Sequence, residues 1–82
     1  MGRSKLEQRL QAIARAVAEH GRDDCPWELL RLECMPLLEQ EEAAALLAEK
    51  AWRAGLNVEF VIRTREAGGK VHDVIYVLFT KR

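Results

Sequence analysis

Two cysteines are too few for a disulfide framework, and the positions of Cys25 and Cys34 fit no zinc-binding spacing, so both are expected as free thiols. Proline is equally sparse, with two residues in the chain, so proline can break a regular element only around Pro26 and Pro36. Aromatic residues make up 6% of the chain, which leaves a core of aliphatic side chains with Trp27 as its largest anchor. No apolar run approaches the ~20 residues that cross a bilayer, and the N-terminus lacks the apolar stretch of a signal peptide. The expectation is a cytoplasmic protein with no membrane partner. Net charge is also missing: 13 basic and 13 acidic residues cancel, which rules out a polybasic chain.

The cancellation hides a pattern. Residues 1 to 22 hold five basic and two acidic groups (+3), residues 23 to 55 hold three and eight (−5), and residues 56 to 82 hold five and three (+2). The 82 residues make a single domain, 1–82, and folding at this size hides only ~60–65% of the unfolded surface, so association with a partner is expected to supplement a small core.

What the chain does have is a run of β-branched and aromatic residues from Leu56 to Thr80, broken once by Gly68-Gly69. A Gly-Gly pair between two such runs predicts a long hairpin. A two-residue turn there pairs Ala67 with Lys70 and, further back, Ile62 with Ile75, Phe60 with Val77 and Val58 with Phe79. A slip by one residue would send the polar side chains of the other face inward, so turn and pleat specify one register.

Three helices are expected before the hairpin. Ser4 and Glu7 form a capping-box pair, Leu6, Leu10, Ile13 and Val17 recur at helical spacing, and Gly21 stops a first helix from about Lys5 to His20. Arg3 with Glu7 and Arg15 with Glu19 stand four residues apart on its polar side. Gly21 to Asp24 reads as a polar loop. A short second helix, roughly Pro26 to Cys34, carries Trp27, Leu30 and Cys34 on one stripe and Leu29 with Leu32 on another, and so reads as the most enclosed of the three. Pro36 opens a third helix reaching about Ala54, with Leu37, Ala44, Leu47, Ala48 and Ala51 inward, flanked by Ala45 and Trp52, and with Leu46 among the exposed positions. The fold class is therefore α+β, three helices followed by a two-stranded antiparallel hairpin (ααα-ββ), with the face that carries Leu56, Val58, Phe60, Ile62, Ile75, Val77 and Phe79 on the helices.

The opposite face of the hairpin is unusual. Val61, Val74, Tyr76 and Leu78 form an apolar patch where a half-exposed ribbon should be polar, so something covers it: a second copy or protein partner, or else the first helix wrapping around within one chain. The hairpin tip gathers Arg63, Arg65, Lys70 and His72. Three helices and a two-stranded wing resembles the order of winged helix-turn-helix domains, and the resemblance implies DNA contact by the wing residues Arg63, Arg65 and Lys70, joined by Arg9 and Arg15 of the first helix. The third helix opposes this, since Glu39, Glu41 and Glu42 stand where phosphates would approach. A solvated basic face accounts for the same arginines.

Candidates for chemistry are few. Cys25 at a helix N-terminus would have its thiolate favoured, but Asp23 and Asp24 oppose that. His72 and Asp73 point to opposite faces of a strand and cannot chelate together. No phosphate-binding glycine loop or Ser-His-Asp set is present. The chain reads as a non-catalytic interaction or regulatory module without cofactor or metal, self-associating as a homodimer or binding a protein partner through Val61, Val74, Tyr76 and Leu78, with nucleic-acid binding by a winged-helix-like protein as the alternative.

Overall fold

The computed structural model describes residues 4–82. The first helix, α1 (Lys5–His20), starts and stops where its local chemistry dictates. Ser4 holds an extended backbone, its Oγ accepts the Glu7 N–H at 3.2 Å, and its hydroxyl donates to Glu7 Oε1 at 3.2 Å. Gly21 closes the helix at φ 84°, a left-handed conformation that a side chain resists, and its N–H reaches Val17 O at 2.8 Å. Leu6, Leu10, Ile13 and Val17 are all buried. The expected pairing of Arg3 with Glu7 lies outside the described residues.

Next comes an element that the sequence does not announce. Arg22–Pro26 forms a strand, β1, in place of a polar loop. Helix α2 (Trp27–Cys34) follows, then α3 (Gln40–Arg53), β2 (Leu56–Ala67) and β3 (Lys70–Lys81). The sheet is antiparallel with order β1-β3-β2, so the two-stranded hairpin is corrected to a three-stranded sheet in an α+β fold. Asp23 lies opposite Phe79 and Cys25 opposite Val77. The hairpin keeps the expected register along its whole length, from Ala67↔Lys70 through Ile62↔Ile75 and Phe60↔Val77 to Leu56↔Lys81. Gly68 (φ 60°) and Gly69 (φ 77°) are both left-handed, as a two-residue turn matched to the strand twist requires.

Helix α3 begins four residues later than Pro36. Met35 and Leu38 both turn inward, bracketing a tight turn in which the Leu38 N–H donates to Met35 O at 3.3 Å, and this throws Leu37 into solvent. The stripe that α3 buries is therefore Ala43, Leu47 and Ala51, with Ala44 and Leu46 half-buried, whereas Ala45, Ala48 and Trp52 face out. Trp52 lies instead under the Arg82 guanidinium, 4.1 Å from the ring centroid. Helix α2 is enclosed along a single stripe. Its eight residues bury Trp27 and Leu30 on one stripe and leave Leu29 and Leu32 exposed.

The core lies at one end of the sheet. Helix α1 packs on β1 and β3, α3 on β2, and α2 on β1 and β3, enclosing Leu56, Val77 and Phe79. Twelve residues of strand span ~40 Å, whereas sixteen residues of helix span ~24 Å. The hairpin accordingly outruns the helical layer in a molecule measuring 46 × 31 × 18 Å.

Candidate interaction surface of the hairpin

Val61, Val74, Tyr76 and Leu78 do share the face turned away from the helices, with Val61 directly across from Tyr76 and all four half-buried. Helix α1 lies on the opposite side of the sheet with the core, so it does not wrap over them. Their cover is local and polar. The Arg63 guanidinium lies 4.7 Å from the Tyr76 ring centroid and reaches across β3 to Asp24 Oδ2 at 2.7 Å, while Arg65 Nη1 donates to the Tyr76 hydroxyl at 3.0 Å. β1 supplies Asp24 to this arrangement and sets Pro26 beside Tyr76.

The same contacts occupy two of the five basic residues considered for nucleic acid. Lys70 stays exposed at the tip, but Arg9 is elsewhere, 4.0 Å from Glu33 Oε1 and close enough to Cys25 to influence its thiol. Cys25 faces Val77, seven residues along β3 from Lys70, a separation of ~23 Å along a strand. Arg15 is exposed on α1. The structure thus does not gather Arg9 and Arg15 with the wing into one patch. Glu41 and Glu42 open α3 on its exposed side.

The large exposed apolar surface is on the face expected to be core. Phe60 is 43% exposed, Ile62 70%, Val71 66% and Ile75 46%, all on the helix-facing side of the projecting half of the hairpin. Phe60 is anchored from one side, its ring standing edge-on to Trp27 with centroids 5.1 Å apart. Beyond Ile62 and Ile75 the same face turns polar, with Thr64 Oγ1 donating to Asp73 Oδ1 at 3.1 Å. A notch of about 220 Å3 opens where β1 leaves the sheet, between Trp27, Gln40 and Ile75. Strand alternation alone puts Phe60, Ile62 and Ile75 inside, because it shows which residues share a face and not how far the helices reach. The available signal was the polar trio Thr64, Glu66 and Asp73, which marks where an inward face stops being inward.

Cys25 lies in β1, one residue before Pro26, the N-cap of α2. Burial pushes its pKa above the ordinary thiol value; the nearby Arg9 opposes this and Asp23 and Asp24 reinforce it. Burial also raises the Cys34 thiol, with Glu33 adding to the effect. Among the described residues no three His, Cys, Asp or Glu side chains converge as a metal site, and no helix is long and apolar enough to cross a membrane. Two further surface hollows lie between Glu7 and Lys50 and around Gly55. Comparison with protein-family models, curated proteins and solved structures yields no match to this chain.

Proposed function

We propose that the protein is a small interaction module that self-associates through its projecting hairpin. One observation carries this reading: Phe60, Ile62 and Ile75 form a continuous exposed apolar face on the projecting half of the hairpin, with Val71 apart from them beyond the Thr64–Asp73 pair. The exposure of Phe60, Ile62 and Ile75 amounts to on the order of 300 Å2, at the lower end of the range of the largest apolar patch on a typical monomer and under half of the ~800 Å2 that each partner buries in a standard interface. The surface first suggested by the sequence, Val61, Val74, Tyr76 and Leu78, carries less of the reading because Arg63 and Arg65 lie across it. A regulatory role follows naturally from a module whose state depends on its concentration. Light scattering after size exclusion, over a concentration series, tests this directly: a mass that rises from one chain to two supports it, and a single-chain mass throughout removes it.

The second reading, nucleic-acid binding with the hairpin as a wing, is favoured by the order of elements, since the hairpin follows α3 and presents Lys70 and His72 at an exposed tip. The pairing of Arg63 with Asp24 and the acidic start of α3 weigh against it. Anisotropy of labelled duplex DNA at roughly 50 mM and then roughly 200 mM salt separates the two, because a phosphate-contacting protein loses affinity steeply over that range.

A further inference from the structure

Strand β2 is an uncovered sheet edge, and it is long and regular. Its pairing with β3 runs without a bulge over twelve residues, no proline interrupts it, and β1 closes only the other side of the sheet. Natural proteins shorten, twist or block such edges, because a free ladder recruits another strand. The turn fixes which groups are free: Ala67 and Lys70 close the hairpin as a hydrogen-bonded pair, so every second residue back from Ala67 bonds to β3, and Val58, Phe60, Ile62 and Thr64 direct their N–H and C=O groups outward.

We infer that two copies of the chain pair antiparallel along β2, about a two-fold axis passing between the two Val61 residues, to give one six-stranded sheet. This inference rests on the self-association proposed above and names its geometry. In this register Phe60 faces Ile62 of the second copy on the apolar side. On the other side Glu59 faces Arg63 of the second copy, with Arg65 diagonal to the same carboxylate. Glu59 has no ion-pair partner among the described residues of its own chain. Shifting the axis to Glu59 or to Arg63 would set like charges directly opposite each other. The short free stretch of β3 is a poorer edge, since a two-fold axis at its centre sets Asp73 against Asp73.

Antiparallel pairing also accounts for the exposed face. It lays the projecting half of one hairpin beside the base of the other, where α3 packs over Leu56 and Val58. The bare Ile62 then meets the half-exposed Phe60 of the second copy.

Disulfide trapping tests the register. Val61 and its counterpart form a non-hydrogen-bonded pair with Cα atoms ~4.5 Å apart, within disulfide range, whereas Thr64 is offset from its counterpart by six residues, ~20 Å along the strand. In a chain with Cys25 and Cys34 replaced by serine and its fold checked by circular dichroism, Val61→Cys is expected to oxidise in air to a covalent dimer and Thr64→Cys to remain reduced. Glu59→Arg, which sets like charges opposite Arg63 of the second copy, is expected to weaken association about tenfold. Dimers by light scattering with no Val61→Cys cross-link would overturn this geometry and leave self-association standing, and a monomer at every concentration would remove both.

Discussion

Ile62 is the residue at which stability and association can be read apart. It is 70% exposed in the single chain, so little of it contributes to the fold, yet it stands at the centre of the apolar face. Ile62→Thr keeps the β-branched side chain that suits a strand and removes most of the apolar surface. Burying an isoleucine fully is worth about 1.5–3 kcal/mol, so the exposed seven-tenths leaves roughly 1–2 kcal/mol for a partner to gain. A symmetric contact counts this twice, roughly 2–4 kcal/mol, which raises the dissociation constant roughly 30- to 700-fold. Sedimentation equilibrium over a concentration series measures the constant, and urea unfolding at the lowest concentration measures what the single chain loses, expected below about 1 kcal/mol. A wild type that dimerises with the same constant as Ile62→Thr places the contact elsewhere on the molecule. A loss of more than about 2 kcal/mol in the dilute unfolding midpoint contradicts the exposure itself, because it makes Ile62 a core residue.

Other perturbations probe the parts that frame this surface. Cys25 has a thiol pKa raised by burial, so the folded state disfavours its thiolate: the stabilising difference is present below the unfolded thiol value of about 8.5 and is lost as pH rises through the folded one. Unfolding midpoints taken on either side of pH 8.5 are expected to fall toward alkaline pH more steeply for the wild type than for Cys25→Ala, and thiol modification at neutral pH is expected to be slower than in the unfolded chain. Gly69 at φ 77° meets no atom within 4 Å of an added Cβ, so Gly69→Val is expected to cost about 1–2 kcal/mol from backbone strain alone, read by thermal unfolding; an unchanged midpoint would mean that the turn is not left-handed there. Amide exchange is expected to protect Val77 and Phe79 at any concentration but the strands beyond Ile62 and Ile75 only when the chain is concentrated, and equal protection throughout would show that the projecting half needs no partner.

The parts of the fold legible in the sequence are those decided by neighbours along the chain. Ser4, Glu7 and Gly21 cap a helix with groups at most four residues from the backbone atoms they satisfy, and Gly68-Gly69 fixes a turn whose pleat then dictates twelve pairs. β1 was not legible for the opposite reason. Arg22-Asp23-Asp24-Cys25-Pro26 has no apolar alternation and no strand-forming residues, and it is extended because the edge of β3, more than fifty residues on, offers it a ladder from Tyr76 to Thr80. The start of α3 failed on a similar point: Pro36 is well suited to open a helix, but the burial of Met35 and Leu38 against the core holds the chain in a turn until Glu39.

The candidate site was half legible, and the half that was missed follows from β1. Had the sheet been two-stranded, its outer face would have been the bare one, and Val61, Val74, Tyr76 and Leu78 the exposed apolar set. β1 brings Asp24 alongside Leu78, Asp24 draws Arg63 across Tyr76, and the outer patch acquires a polar cover. β1 stops at Pro26, which has no N–H to extend a ladder and leads directly into α2. Past that point no further strand among the described residues flanks the hairpin, and a two-stranded ribbon is marginally stable in water by itself. A third strand supplied from outside, along the free edge of β2, restores beyond Pro26 the three-stranded arrangement that β1 provides before it.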